Sequence, residues 1–154
     1  MASASDVTVV IPVGLEYSTV VVQRAIDSAW DAGAGEVIVY SDDQFEMRDF
    51  DHCDLFYGKT LISSGVCHAR NYAITQAQLD LILPLDSDDY LLPSAIERMV
   101  TVWEIGKVVY GGWGETTRLV FEDRVNKQAP PPEMLSRKHI CHATYLFDRE
   151  DWFR

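Results

Sequence analysis

Three short apolar runs, spaced along the chain and separated by helix-patterned segments, constrain this sequence more than any other feature. Val7-Thr8-Val9-Val10-Ile11, Glu36-Val37-Ile38-Val39-Tyr40 and Leu81-Ile82-Leu83-Pro84-Leu85 are too short for core helices, and the first two are rich in β-branched residues. Each reads as a buried strand, the first closed by Pro12 and Gly14. Between the first two, Val20, Val21, Ala25, Ile26 and Ala29 recur at helical spacing after a capping Ser18 or Thr19, and Ala32-Gly33-Ala34-Gly35 ends the helix. Ala69, Ala73, Ile74 and Ala77 predict a second helix over 66–79, entered through Ser63-Ser64-Gly65. Pro93-Ser94 opens a third, with Ile96, Met99, Val100 and Trp103 on one face. Shorter strands are expected at Leu55-Phe56-Tyr57, Val108-Val109-Tyr110 and Thr144-Tyr145-Leu146-Phe147, with Pro130-Pro131-Pro132 marking an extended loop before the last. Alternation of this kind predicts an α/β fold with a mainly parallel central sheet flanked by helices.

Size and charge narrow the class. The 154 residues suffice for one domain with a real core, and a 47% apolar, 24% charged composition is that of a globular protein. A formal charge of −11 gives the surface no general attraction to nucleic-acid phosphates or anionic lipid, and a polyanionic substrate would need a metal ion or a few placed arginines. No apolar run reaches the roughly 18–20 residues of a membrane span. The first residues lack the basic start and apolar stretch of a secretory signal, and three cysteines (Cys53, Cys67, Cys141) do not make a disulfide framework. The expectation is a cytoplasmic protein.

Carboxylates gather where two of the predicted strands end. Asp42-Asp43 closes the second strand, and Asp86-Ser87-Asp88-Asp89 closes the strand that begins at Leu81. In parallel α/β sheets ligands bind beyond the carboxyl ends of the strands. Three like charges within four residues repel one another, and a divalent cation with hard oxygen ligands, Mg2+ or Mn2+, resolves that repulsion while bridging substrate phosphates. The alternative is a solvated turn ahead of the next helix.

These elements, in this order, resemble the inverting family 2 glycosyltransferases of the GT-A, or nucleotide-diphospho-sugar transferase, fold. The resemblance rests on the strand ending at Pro12 and the strand ending at Asp42. It rests also on Gly65-Val66-Cys67-His68-Ala69-Arg70-Asn71 and on the strand closing in Asp86-Ser87-Asp88-Asp89 before Tyr90-Leu91-Leu92-Pro93. It spans roughly residues 6–115, which reads as the nucleotide-sugar-binding half of a single domain over 1–154. Residues 116–154 then form a partial acceptor and metal side. Each motif alone is weak; the ordered set is specific.

The resemblance implies a role for each matching residue. Asp42 corresponds to the acceptor of a uracil imino hydrogen, and Asp86 to a carboxylate near the donor ribose. Pro12 and Ser87 belong to the same nucleotide-sugar-binding set. Arg70 corresponds to a nucleotide-side arginine, with a structural ion pair as the alternative. Asn71 is expected to support by hydrogen bonding. Asp88 corresponds to the metal-coordinating member of the Asp-x-Asp motif, with Asp89 assisting directly or through water. In Cys141-His142-Ala143-Thr144-Tyr145-Leu146-Phe147, His142 corresponds to a histidine that completes the metal shell. A zinc site from His139, Cys141 and His142 is the lesser alternative, there being no CxxC partner.

The activity that the resemblance implies is a metal-dependent (Mn2+ or Mg2+) inverting transfer of a sugar from a nucleotide-diphosphate donor, with a UDP-sugar the first choice. The acceptor is a hydroxyl-bearing molecule, a glycan in the first place; a nucleic-acid acceptor is disfavoured by charge though allowed in principle. Two alternatives stay open: a truncated or non-catalytic nucleotide-sugar-binding domain, and a nucleotidyltransferase. The stretch Val13–Thr19, with one glycine and no basic residue, speaks against the latter.

The sequence departs from the family pattern in three places. Pro12-Val13-Gly14-Leu15-Glu16-Tyr17 moves the base-stacking aromatic out of register, and Ser41-Asp42-Asp43 replaces the more usual Asp-Asp-Gly. The Gly-Gly-Phe-Asp-type segment and catalytic base of many relatives have no counterpart before Arg154. Asp148, Glu150, Asp151 and Glu115 are candidates for that base by charge alone. Tyr110, Trp113 and Trp152 are candidate sugar-stacking aromatics, with core packing as the alternative.

Overall fold

β1 (Val7–Val13) is buried at all seven positions, as a central parallel strand covered on both faces must be. The computed structural model describes residues 2–14, 18–41, 50–57, 65–110 and 145–152. Around β1 lie β2 (Glu36–Ser41), β3 (Asp54–Tyr57), β4 (Leu81–Pro84), β5 (Val109–Tyr110) and β6 (Tyr145–Asp148), in sheet order β3-β2-β1-β4-β6-β5. β1 pairs in parallel with β2 and β4, and β2 with β3, whereas β6 runs antiparallel to both β4 and β5. The expected mainly parallel sheet is therefore observed, with β6 the one reversed strand among those described.

Helices α1 (Thr19–Asp31) and α3 (Ala95–Val102) share a core with one face of the sheet, and α2 (Gly65–Gln76) covers the other. Alternation along β1 makes this possible: Val7, Val9, Ile11 and Val13 belong to the first core, and Val10 to the second. α1 contributes Val22, Ala25, Ile26 and Ala29, a stripe at i, i+3, i+4 and i+7. α2 meets the sheet through Ala69, Ala73 and Ile74, all of them buried in the second core. Ser18 caps α1, its hydroxyl accepting the Val21 N–H at 3.4 Å.

Several boundaries differ from expectation for local reasons. β1 runs through Pro12 to Val13 rather than closing at Pro12; the pairing with β4 ends at Val10, so the missing N–H of Pro12 interrupts no ladder there. α2 ends at Gln76, three residues before Leu79. Ser94 sits in the left-handed region (φ 61°) with no capping bond, so Pro93-Ser94 is a turn and α3 begins at Ala95. The final strand carries a short helical turn, α4 (Arg149–Trp152), tied back to the end of α2 by an Arg149 hydrogen bond to the Ala77 carbonyl. Among the described residues no helix is long and apolar enough to cross a membrane.

Two described cysteines are free thiols in different settings. Burial, with Asp54 and Asp51 adding to it, pushes the Cys53 thiol up to about 11, while Cys67 on α2 is exposed. The thiolate is the reactive species, so at pH 8 about one Cys53 in a thousand is ionised. In a Cys141→Ser background, Cys67 is expected to react with a disulfide reagent at least about tenfold faster than Cys53. Equal rates would contradict the burial of Cys53.

Candidate functional site

The sheet delivers its polar ends to one edge. β1, β2 and β4 point the same way, and immediately past β4 the chain turns through Asp86-Ser87-Asp88-Asp89, closed by the Asp89 N–H donating to the Asp86 carbonyl at 3.0 Å. Leu85 is still part of the core and donates its N–H to the Val10 carbonyl at 2.9 Å, so the turn starts one residue beyond a rigid element. Ser87 is buried, Asp86 and Asp89 are half-buried, and Asp88 is exposed.

Arg70, reaching across from α2, donates from Nη2 to Asp86 Oδ1 at 2.8 Å. With the side chains 17% and 36% exposed, this pair is partly shielded from water and stronger than an ordinary surface ion pair. The Arg70 Nε is buried and has no hydrogen-bond partner among the described residues. An unpaired buried donor is uncommon, and at a site it is a group that ligand binding or a small rearrangement satisfies. Both sequence readings of Arg70 bear on this geometry: it makes an ion pair within the fold, and its partner is the carboxylate expected beside the ribose.

Between α2 and the strands β2 and β3 lies an aromatic group that the sequence did not single out. The Tyr40 ring, at the end of β2, lies 4.9 Å from Tyr72 and 6.0 Å from His68, and Phe56 of β3 is 6.0 Å from Tyr72. His68 and Tyr72 are one helical turn apart on α2, the single sequence signal that they share a face.

The expected site residues separate into those brought together, those not described, and those placed elsewhere in the fold. Arg70, Asp86, Ser87, Asp88 and Asp89 converge at the end of β4, and Pro12 lies at the same end of the sheet in β1, paired with Tyr40. Asp42 and His142 lie outside the described residues, as do Tyr17, His139, Cys141, Trp113 and Glu115. Asp148, Glu150 and Asp151 lie at the opposite end: Asp148 pairs with Leu81, the first residue of β4, and its Oδ1 accepts the Glu150 N–H at 2.9 Å. Trp152 is spent on packing, its ring 5.3 Å from Phe147 in the second core. The core alternative therefore holds for that aromatic.

A family model described as glycosyl transferase family 2 matches residues 59–149, more than half of the chain. The chain belongs to glycosyl transferase family 2. The match includes α2 with Arg70, all of β4 and the carboxylate turn. Hyaluronan synthase of Streptococcus pyogenes is 27% identical over 73 residues, covering 47% of this family 2 chain and 17% of the synthase. The S. aureus TarS 1–349 structure in complex with UDP superposes with a TM-score of 0.63 at 20% identity, over 93% of this chain and 46% of that one. A mannosyltransferase from Pyrobaculum calidifontis, in complex with GDP-Man and Mn2+, gives a TM-score of 0.50 at 16% identity, over 68% of this chain and 34% of that one. The family 2 chain thus has the GT-A fold of these neighbours and spans less than half the length of each.

Proposed function

We propose that this family 2 chain binds a nucleotide-diphosphate sugar, with a UDP-sugar first, at the carboxyl end of β4. Its activity is metal-dependent, inverting transfer of that sugar to an acceptor hydroxyl. The observation that carries the reading is the Asp86–Asp89 turn at the end of a buried parallel strand, with Arg70 paired to Asp86. The UDP and the GDP-Man with Mn2+ bound by structural neighbours support the donor class and the metal.

The donor set suits a hard cation. Asp88 and Asp89 offer carboxylate oxygens, and no group of three His, Cys, Asp or Glu that could hold a metal occurs among the described residues. Mg2+, and Mn2+ in similar oxygen sites, is commonly held by one or two carboxylates with substrate phosphates and water supplying the rest, so this turn fits such an ion. In this proposal Asp88 is the principal ligand, with Asp89 and His142 contributing, and the bound ion supplies positive charge against the leaving diphosphate. Arg70 holds Asp86 in one rotamer as an acceptor for a ribose hydroxyl, with Ser87 and Pro12 shaping the same edge. Asp42 accepts the imino N–H of the base. The acceptor oxygen attacks the anomeric carbon on the face opposite the diphosphate, its proton passing to a carboxylate, and the C–O bond to the diphosphate breaks with inversion. Asp148, Glu150 and Asp151 are poor candidates for that base, being at the other end of β4.

That placement also favours a second reading, a nucleotide-sugar-binding domain without turnover. One titration series tests both. Calorimetry with UDP should give binding at least about tenfold tighter with Mn2+ than without it, equal affinities contradicting the metal. Release or transfer of sugar from a UDP-sugar then separates the transferase from the binding domain.

A further inference from the structure

A buried hydroxyl in the last turn of α1 is an unexplained expense for a helix whose stripe is otherwise apolar. Ser28 is 9% exposed among Ala25, Ile26 and Ala29, and alanine is the better helix former at such a position. Its Oγ makes two bonds. It donates to the Ala25 carbonyl at 2.7 Å, within the helix, and accepts the backbone N–H of Leu91 at 3.0 Å. The first bond orients the hydroxyl so that a lone pair faces Leu91. Leu91 is itself buried, so without Ser28 its N–H would have no water to turn to.

Leu91 stands two residues after the carboxylate turn, and α1 grips the intervening chain a second time. Arg24, one helical turn before Ser28, donates from Nη2 to the Asp88 carbonyl at 3.2 Å and lies over the Tyr90 ring, 5.1 Å from its centroid. The turn is thus held at its start by the β4 ladder through Leu85 and from behind by α1 through Asp88, Tyr90 and Leu91. Arg24 is exposed, so its bond competes with water, whereas the Ser28 bond does not.

We propose that Ser28 is a positioning residue for the metal and diphosphate site. By holding the Leu91 N–H, it fixes the backbone of Asp88-Asp89-Tyr90 and hence the direction in which the Asp88 and Asp89 carboxylates present their oxygens. The metal half of this proposal rests on the proposed function; the backbone half does not. Supports behind metal-ligating carboxylates commonly change metal affinity tenfold or more when removed.

The test compares wild type with Ser28→Ala, Ser28→Thr and a control, Thr8→Ala. Thr8 is a buried hydroxyl in the amino-terminal half of β1 that donates to Glu36, away from the turn. Amide hydrogen exchange is read first, without ligand. The expected result is that amides of residues 89–91 exchange about tenfold faster in Ser28→Ala, are unchanged in Thr8→Ala, and recover in Ser28→Thr, which keeps the hydroxyl. Mn2+ is then titrated into each protein at saturating UDP, with Ser28→Ala expected to bind it about tenfold more weakly and Thr8→Ala as wild type does. Should Ser28→Ala fail to fold, Ser28→Cys, with similar volume and a weak acceptor, takes its place. Unchanged exchange at residues 89–91, or equal acceleration in the Thr8 control, overturns the positioning role. Faster exchange with Mn2+ affinity within twofold of wild type overturns its link to the metal. Wild-type protein binding neither UDP nor Mn2+ overturns the proposed function and the metal half with it, while the exchange result still decides the backbone half.

Discussion

Asp88→Ala is expected to weaken Mn2+-supported UDP binding by about a hundredfold while leaving the melting temperature within about 2 °C of wild type. The two halves of that expectation have one cause. Asp88 is exposed, and among the described residues its carboxylate takes part in no hydrogen bond or ion pair; the bond at this residue, from Arg24, goes to its backbone carbonyl. Alanine keeps that carbonyl, so folding loses almost nothing. A metal ion bridging protein to diphosphate would lose a charged ligand, and removing one partner from such a contact commonly costs 2–5 kcal/mol, or about thirtyfold to several thousandfold. Asp86→Ala should behave differently. It strips Arg70 of its 2.8 Å partner, leaving a guanidinium that is already short of one hydrogen bond, so stability and nucleotide binding should fall together. Calorimetry and thermal melts on the two variants check the contrast. UDP binding to Asp88→Ala that still tightens with Mn2+ as in wild type would remove Asp88 from the metal site.

The second large effect is on folding. Gly35→Ala should destabilise the chain by about 3 kcal/mol and lower its melting temperature by about 6–12 °C. A Cβ at Gly35 would stand 1.9 Å from the Ser5 carbonyl oxygen and 2.7 Å from its carbon, distances no side chain occupies. Leu79, whose Cδ1 would be 3.0 Å away, can rotate aside; the Ser5 backbone, fixed in the Ala4–Asp6 turn that leads into β1, cannot do so without moving the strand. Gly35 also donates its N–H to the Val7 carbonyl at 3.0 Å, so the clash is pinned from both sides. Gly106→Ala is the comparison: its φ is +77° and a Cβ there meets nothing within 4 Å, so only left-handed strain remains, about 1–2 kcal/mol. Denaturant unfolding of both variants measures the difference. A Gly35→Ala protein as stable as Gly106→Ala would mean that the amino-terminal turn yields easily.

Legibility in the sequence divides along the range of the interactions. The strand–helix order, the stripe of α1 and the carboxylates at the end of β4 are set by side-chain periodicity and by residues adjacent in sequence, and the sequence alone determined them. The ordered motifs also sufficed to place the chain in family 2, because Gly65–Asn71 and Asp86–Asp89 lie within the stretch that the family model matches. Contacts between distant segments were not legible. Nothing in the spacing says that Arg70 meets Asp86 across two layers, that Trp152 is consumed by Phe147, or that Asp148 closes the wrong end of β4 to serve the turn. Pro12 looked like a strand end because proline removes a ladder donor; only the register shows that β4 has already left β1 at that point. Ser28 was invisible for the same reason. A serine on a helix is ordinary until the fold brings a buried N–H from 63 residues away to its hydroxyl. Local chemistry wrote the elements and the acidic turn into the sequence, whereas the supports that aim the turn are long-range hydrogen bonds, which exist only once the sheet and helices have packed.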